Sequence, residues 1–251
     1  MSTNMLNSYR KPAASCQFLN RWHPEVAVRY LPIVKKLSAA SRQPPAILEV
    51  GSGWLGISPY LGRQITGLDE DFNGKKFPLL KQVKGSALKI PFGNNNFDIV
   101  ICVDVLEHLP KSKRQIAIDE LLRVGKKCIF IGAPCGEKSF KQDILLDKHY
   151  KKVFNKPFPF LQEHLEYGLP EEKQITQSIK KAAKINKKNI NIRITGNESL
   201  KLRKFLMQGF ITKNLLIDFV YRKVFLLLIP FFKLFDKPPY YRKLFFVRIK
   251  S

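Results

Sequence analysis

ILEVGSGWLGISPYL, residues 47–61, begins as an apolar strand and then passes over a turn that contains three glycines. Glycine has no Cβ, so a turn built from glycines lets a ligand approach the main chain. The spacing is G-x-G-x-x-G, placed after a strand and at the start of a short helix. This stretch therefore predicts the first strand of an α/β sheet with a ligand site at its carboxyl end.

Strand and helix patterns alternate along the rest of the chain. Buried parallel strands are indicated by QITGLDED, FDIVICVD and KCIFIGAP, and an amphipathic helix by SKRQIAIDELLRV. Two later strands are predicted from NINIRITG and YRKLFFVRIK, with apolar helical sequence between them. The alternation predicts an α/β fold with a doubly wound, mostly parallel sheet.

The domain organisation predicted from these patterns is one domain after a short arm. Residues 1–20 are expected to form a flexible N-terminal arm, and a helix is expected between residues 22 and 41, before RQPP ends it. The predicted domain, residues 21–251, divides into a ligand-binding core (45–135), a helical region on the acceptor side (136–187), an apolar and basic helical insertion (197–237) and a last strand (238–251).

The charge is high and unevenly distributed. The chain of 251 residues has 44 basic and 20 acidic residues, a formal net charge of +24. Residues 45–140 hold thirteen basic and ten acidic residues, whereas residues 201–251 hold twelve and two. An excess concentrated at one end predicts a local anionic partner.

The cysteines and the N-terminus indicate a cytoplasmic protein. The four cysteines show no zinc or redox spacing, and Cys102 and Cys128 lie in strand-like apolar runs as reduced core residues would. The first sixteen residues contain no apolar leader. The expected location is the cytoplasm or, for a peripheral protein, the cytosolic face of a membrane.

The glycine turn alone leaves two ligand classes open. A dinucleotide would place its pyrophosphate at the helix N-terminus, with Asp69 at the end of the next strand accepting from its ribose. S-adenosylmethionine lacks a phosphate, but its ribose needs the same acceptor and its methionyl end can pass close to a bare turn.

KGSALKIPFGNNNFDIVICVDVLEHLP, residues 84–110, separates these two classes. Together with E-V-G-x-G at the first strand and an acid ending the second, it resembles the class I S-adenosylmethionine-dependent methyltransferases. The resemblance covers about residues 45–135 and implies a Rossmann-like methyltransferase fold with an antiparallel final strand. It also implies S-adenosylmethionine as the cofactor.

The resemblance assigns five positions to the methionyl end and the ribose of that cofactor. Gly51, Ser52 and Gly53 are expected to line the methionyl portion, with Glu49 supporting the turn. Asp69 is expected to accept hydrogen bonds from both ribose hydroxyls.

The adenine and the amino-acid end are assigned in the same way. Ala87 and Leu88 are expected to frame the adenine, and Ser86 stands where the family usually has an aspartate. A serine can still hydrogen-bond the adenine edge but offers no charge. Asp104, at the end of the fourth strand, is expected near the amino-acid end of the cofactor.

His108 is the candidate general base, because LEH follows the strand that ends at the cofactor. Asp104, Glu107 and His108 also resemble the E-x-x-E-H element that holds Mg²⁺ in some ubiquinone-pathway and small-RNA O-methyltransferases. Many relatives have LEH without a metal, and there the segment orders the loop. No residue of this chain is therefore assigned as a metal ligand. His149 and His164 are alternative bases, although both are expected to lie at exposed positions of helices.

The sequence carries little information about the methyl acceptor. Enzymes that methylate exocyclic amines of nucleic-acid bases typically carry N/D-P-P-aromatic after the fourth strand, where this chain has DVLE. The Pro-Pro-aromatic run at 237–241 lies elsewhere. Base N-methylation is therefore disfavoured.

The segment LLIDFVYRKVFLLLIPFFKLF, residues 215–235, is apolar and flanked by basic residues. Its longest run without a charged residue, 224–232, is nine residues, whereas a spanning helix needs about 20. Residues 213–236 could rest on an anionic membrane surface or pack into the core, since amphipathicity serves both. Its aromatics lie inside aliphatic runs, which disfavours nucleic acid.

Three functions follow in order of preference. The first is methyl transfer, most consistent with O-methylation, to a small-molecule or lipid-linked acceptor. The second is an RNA methyltransferase. The third is a non-catalytic or dinucleotide-binding protein of the same fold with a docking tail.

Overall fold

The strand that precedes the glycine turn is completely buried and lies in the middle of a sheet. The computed structural model describes residues 24–38 and 45–250, and its strands form one seven-stranded sheet. The strands are β1 (Ile47–Val50), β2 (Ile65–Asp69), β3 (Leu80–Lys84), β4 (Phe97–Val103), β5 (Gly125–Pro134), β6 (Ile190–Ser199) and β7 (Tyr240–Ile249). Residues 1–20, predicted to form an arm, lie outside the described residues.

The strand order is β3-β2-β1-β4-β5-β7-β6, with β1 to β5 parallel. The chain therefore leaves β1 towards one edge of the sheet and returns beside it as β4. Strand β7 runs antiparallel to both of its neighbours, β5 and β6. This confirms the predicted doubly wound sheet with an antiparallel final strand, which the structure inserts between β5 and β6 and not at an edge.

Helices cover both faces of the sheet. In the described residues they are α1 (Pro24–Ser38), α2 (Ser58–Leu61), α3 (Arg114–Val124), α4 (Gly136–Phe154), α5 (Gln162–Tyr167), α6 (Glu172–Ile185), α7 (Leu200–Phe210), α8 (Leu215–Phe219) and α9 (Phe225–Phe235). A π-helical segment, Val220–Val224, joins α8 to α9 without a break.

Alternate side chains of the central strands pack into two separate hydrophobic cores, one on each face of the sheet. Leu48 and Val50 of β1 pack with α3 and α6 on one face, and Ile47 packs with α1 on the other. Strand β3 was not predicted from the sequence. It lies at the sheet edge, and two of its five residues are exposed lysines, so the apolar pattern is weak.

A buried arginine joins the last strand to the carboxyl ends of the parallel strands. Because β7 is antiparallel, its first residues lie beside the end of β5, and Arg242 pairs in register with Pro134. The Arg242 guanidinium donates to both oxygens of Asp104, at 2.6 and 2.7 Å, and to Glu198 at 3.0 Å. Arg29 of α1 also contacts Asp104, at 3.0 Å. One cation therefore links β4, β6 and β7.

We predict that Arg242→Met lowers the free energy of unfolding by about 3–5 kcal/mol, because it leaves two buried carboxylates without their main partner. Urea unfolding measures the loss. The matched control is Arg248→Met, an exposed arginine on the same strand. Equal losses in the two variants would contradict the role given to Arg242.

Candidate active site

The glycine turn leaves an open face at the carboxyl end of β1. Gly51, Gly53 and Gly56 have φ angles of 75°, 53° and 54°, which L side chains rarely adopt. The amide of Gly51 donates to the carbonyl of Leu68 at 2.8 Å, so the turn is attached to β2. A Cβ placed on Gly53 would meet no atom within 4 Å in the described part of the chain. A ligand therefore has room beside the main chain there.

Glu49 lies beneath this turn. It is 1% exposed, and its Oε2 accepts a hydrogen bond from the Ile57 amide at 2.7 Å. Burial raises the pKa of Glu49 to about 7, although the Ile57 amide and the Tyr30 hydroxyl act in the opposite direction. A Cβ on Gly56 would lie 2.0 Å from the same oxygen. The third glycine is thus required by the carboxylate below it.

The carboxylate of Asp69 points towards the glycine turn. Its Oδ2 accepts from the Gly53 amide at 2.7 Å, and its Oδ1 accepts from the Asp71 amide at 3.2 Å. The end of β2 and the turn after β1 are therefore connected through one side chain, placed between them as a ribose acceptor would be.

The stretch Ser86–Leu88 follows β3 in the same half of the sheet. The Ser86 hydroxyl accepts from the Leu88 amide at 3.3 Å, and Ala87 and Leu88 are partly buried against the core. All three side chains are half-buried, as the wall of a binding site would be.

Asp104 lies at the end of β4 and is held by two arginines. Its φ of 54° is in the left-handed region, and its amide donates to the Gly132 carbonyl at 2.9 Å. Burial alone would raise its pKa, but the charges of Arg242 and Arg29 hold the pKa of Asp104 well below its usual range. Asp104 therefore stays charged, and both of its oxygens already have arginine partners.

Glu107 is buried without a visible reason. It lies in a 3₁₀ turn, Leu106–His108, directly after β4, and it is 0% exposed. Neither carboxylate oxygen accepts a hydrogen bond from any described residue. Burial, reinforced by the charge of Asp104, raises the pKa of Glu107 to about 8. Leaving such a group unpaired is costly, so the site calls for a partner that the described residues do not supply.

Two histidines lie beside this glutamate. His108 and His164 have ring centroids 4.8 Å apart, and one potential ligand atom from each lies within 4.8 Å of the others and of Glu107. Nδ1 of His108 is 2.7 Å from Glu163, and Nδ1 of His164 is 2.9 Å from Asp143. When each carboxylate accepts an Nδ1 proton from a neutral ring, Nε2 of that ring has a free lone pair. Burial acts to lower the pKa of His108, but the hydrogen bond to Glu163 and the charge of Glu107 raise it above its ordinary value.

Asp143 is itself fixed in place. It is 0% exposed, and its oxygens accept from the Tyr241 hydroxyl at 3.1 Å and pair with Arg203 at 2.8 Å. The Arg203 guanidinium stacks on the Tyr241 ring, 3.5 Å from its centroid. Burial lowers the pKa of His164 despite the Asp143 carboxylate, so its ring is disposed to stay neutral.

Both alternative bases were expected to be exposed, and this is correct for one of the two. His149 is exposed, as expected, whereas His164 is 6% exposed. The expectation for His164 was wrong because α5 is short and turns inwards against the 3₁₀ turn after β4, which sequence spacing does not reveal.

An open cavity of about 810 Å³ continues from the two histidine segments. Its walls come from the residues after His108, the start of α4 and the end of α5. They are Pro110, Lys111, Ser112, Gly136, Glu137, Phe140, Leu165, Glu166, Tyr167, Gly168, Leu169 and Glu171. The cavity lies at the carboxyl ends of β4 and β5, on the other side of Asp104 from the glycine turn.

Four functional candidates were not found from the sequence: Arg29, Arg242, Asp143 and Glu163. They come from α1, β7, α4 and α5, far apart in sequence, and their pairing is created by the fold alone. The only available signal was the unusual density of His and Glu in QEHLEYGLP.

Comparison with known proteins agrees with this fold. The model of a methyltransferase domain family matches residues 48–128, about a third of the chain. No curated protein shows a significant match to the chain.

Solved structures share the fold over almost the whole chain. A methyltransferase from Thermotoga maritima, described as a possible histamine N-methyltransferase, superposes with a TM-score of 0.52 at 13% identity, covering 94% of this chain and 97% of that one. Magnesium protoporphyrin IX methyltransferase from Synechocystis PCC 6803, with bound S-adenosylhomocysteine, gives 0.51 at 14%, covering 96% and 90%. The small RNA methyltransferase HEN1 gives 0.54 at 15%, covering 96% of this chain and 27% of that one. At these identities the likeness is one of fold.

We predict that Asp69→Ala weakens binding of S-adenosylhomocysteine roughly tenfold to 100-fold, since charged hydrogen bonds to a ligand contribute about 1.5–3 kcal/mol. Titration calorimetry measures the affinity. Asp71→Ala, two residues away, is the control and is expected to bind within about twofold of the unaltered chain. Unchanged affinity in Asp69→Ala would remove this residue from the site.

Gly56→Ala and Gly62→Ala form a second matched pair. Both positions have positive φ, and each alanine costs about 1–2 kcal/mol for that reason. Only Gly56 faces Glu49, so Gly56→Ala is expected to lose a further ~1–3 kcal/mol as the buried carboxylate leaves the Ile57 amide. Urea unfolding compares the two. Equal losses would show that Glu49 does not restrict the turn.

Proposed function

We propose that this chain, a class I S-adenosylmethionine-dependent methyltransferase, transfers the methyl group to a hydroxyl oxygen of a small-molecule or lipid-linked acceptor. The observation that carries the proposal is the group of buried Glu107, half-buried His108 and buried His164 beside the end of β4. S-adenosylmethionine is the cofactor, which replaces the dinucleotide alternative left open by the glycine turn.

The donor half of the site fits this cofactor. The open space beside Gly53 suits the methionyl chain, and Asp69, already turned towards the Gly53 amide, suits the ribose hydroxyls. Ser86, Ala87 and Leu88 would border the adenine. Bound there, the cofactor supplies an electrophilic methyl carbon on a positively charged sulfur.

The acceptor half fits a divalent cation such as Mg²⁺ or Mn²⁺. Glu107 offers two unpartnered carboxylate oxygens, and His108 and His164 each offer Nε2, a mixed oxygen and nitrogen set that such ions accept. Asp143 and Glu163 accept the Nδ1 protons, as carboxylates behind metal-binding histidines do. Asp104 belongs to the segment that resembles E-x-x-E-H, but its carboxylate already pairs with Arg242 and Arg29.

A cation held there would supply positive charge that binds an acceptor hydroxyl and favours its deprotonated form. The chain's own task is alignment. The fixed histidine tautomers and the buried glutamate define one position for the acceptor oxygen, and methyl transfer depends chiefly on such positioning. His108 was predicted as a general base, and in this arrangement its Nε2 is a ligand instead. The same nitrogen cannot serve as both at once.

A second candidate acceptor is RNA. The formal net charge of +24 favours it, since phosphate contacts from Lys and Arg dominate nucleic-acid affinity. The small-molecule or lipid-linked acceptor is preferred because the exposed apolar side chains are concentrated in one helical segment, 215–235, and aromatic side chains there are flanked by aliphatic ones. For residues 213–236 we propose an anionic membrane surface as the partner.

We predict that the chain binds Mn²⁺ and that Glu107→Gln and His164→Asn each weaken this binding at least about tenfold. Titration calorimetry with Mn²⁺ alone measures it, without any acceptor. Glu166→Gln and His149→Asn, both exposed, are the controls. Affinity for S-adenosylhomocysteine is expected to stay within about twofold in all four variants, because the two halves of the site share no ligand.

Absence of Mn²⁺ binding, with S-adenosylhomocysteine binding intact, would remove the cation and return His108 to the role of base. A cell extract incubated with labelled methyl donor, then sorted into lipid, RNA and small-molecule fractions, identifies the acceptor. Label confined to RNA would reject the preferred acceptor and leave the methyltransferase assignment unaffected.

A further inference from the structure

The largest group of exposed apolar side chains lies on one helical segment. Residues 215–235, which we call the docking segment, comprise α8, the π-helical turn and α9. Of the fifteen exposed large apolar side chains in the described residues, ten belong to it: Leu215, Leu216, Ile217, Phe219, Val224, Leu227, Leu228, Phe231, Leu234 and Phe235. Such a concentration is unusual on a protein surface and marks an interaction site.

The opposite side of the docking segment already belongs to the core. Tyr221 is fully buried, and Ile229 and Phe232 are less than 10% exposed among residues of α1 and α7. A Cβ on Gly209 of α7 would lie 2.7 Å from the Tyr221 ring, so the two helices are in close contact. Core packing therefore accounts for one side of the segment and leaves the outer apolar side unexplained.

The exposed side is positioned by a helix cap. The Asn214 side chain accepts from the Leu216 and Ile217 amides at 2.9 and 3.2 Å, which starts α8 at Leu215. Leu215 and Leu216 are 77% and 70% exposed in the first turn. The cap fixes the helical start that directs these leucines outwards.

No helix in the described residues is long and apolar enough to span a bilayer. The docking segment contains four charged residues, and its inner side is occupied by the core. An apolar helix side that lies along a protein surface can instead rest in the boundary between headgroups and acyl chains, about 5–10 Å deep.

The positive charge around the docking segment favours an anionic lipid surface as its partner. Residues 201–251 contain twelve basic and two acidic residues. Lys213 and Lys237, which flank the segment in sequence, are exposed, as are Lys201 and Lys204 of α7, the helix that packs against α8 and α9. Each lysine near an anionic bilayer contributes about 1 kcal/mol, roughly fivefold in binding. A second copy of the chain would bring an equally basic face against this one, and at a net charge of +24 per chain it would be repelled.

We propose that the docking segment binds the surface of an anionic bilayer, with its leucines and phenylalanines between the headgroups and the neighbouring lysines on the headgroup charges. The methyl-transfer site lies one helix away. Both α7 and α9 pack on α1, and α1 carries Arg29 and Tyr30, which reach Asp104 and Glu49. The proposal does not depend on the identity of the acceptor or on the cation.

Flotation of the full chain with vesicles tests this. Vesicles of phosphatidylcholine alone are compared with vesicles that also contain phosphatidylserine. We expect recovery with the anionic vesicles, a loss of at least about fivefold for each of Lys213→Glu and Lys237→Glu, and a loss of at least tenfold for the double variant Leu227→Ser/Phe231→Ser. The matched control is Leu145→Ser/Ile185→Ser, two exposed apolar residues elsewhere on the surface, which should float like the unaltered chain.

Binding of S-adenosylhomocysteine by each variant verifies that the fold is intact, and sedimentation measures the oligomeric state. Equal recovery with neutral and anionic vesicles would overturn the proposed charge recognition. A chain that floats with neither but forms a dimer that Leu227→Ser/Phe231→Ser dissociates would overturn the membrane surface in favour of a second copy. Equal flotation of the segment variant and its control would also reject the proposal.

Discussion

The pairing of Arg242 with Asp104 is the constraint on which the arrangement of the site depends. Asp104 ends β4 at the point where the chain must leave the sheet, and its left-handed backbone turns the following residues back over the strand ends. A charged group at that depth is stable only with a fixed partner. Arg242 supplies it because β7 is antiparallel and begins where the parallel strands end. Strand β7 therefore completes a site whose other parts all precede it in the sequence.

Other buried charges nearby follow the same principle of pairing, with one exception. Asp143 has Tyr241, Arg203 and His164 as partners, and Glu49 has the Ile57 amide. Glu107 alone in this group has neither oxygen satisfied by a described residue. A fold that gives each surrounding carboxylate at least one partner and leaves both oxygens of this one open, next to two histidines, has the properties of a binding site.

The docking segment shows how one amphipathic pattern can serve two purposes. The core takes the residues on one side of the helix, led by Tyr221, and the exposed leucines lie on the other. The sequence pattern could not separate core packing from a surface role, because both need an apolar stripe. Here apolar residues lie on both the buried and the exposed side of the segment, because a helix on the surface of the sheet can bury only part of its circumference.

The sequence by itself determined most of the sheet and the glycine turn with the carboxylate that faces it. The strand at 47–50, the glycine turn and the acid at the end of β2 lie within 23 residues of one another, and local patterns report such neighbours well. The position of Asp69 against Gly53 followed from the parallel pairing of β1 and β2. Strand β3 was missed because an edge strand can be polar on its open side.

Only the tertiary structure decided the acceptor side. His108 and His164 are separated by 55 intervening residues, and Arg242 lies 138 residues after its partner Asp104. No periodicity connects residues so far apart, since their meeting depends on where α5 and β7 pack against the strand ends. The residue types are given by the sequence, but packing decides which of them meet. The meeting of a buried glutamate with two histidines is what makes this a candidate site.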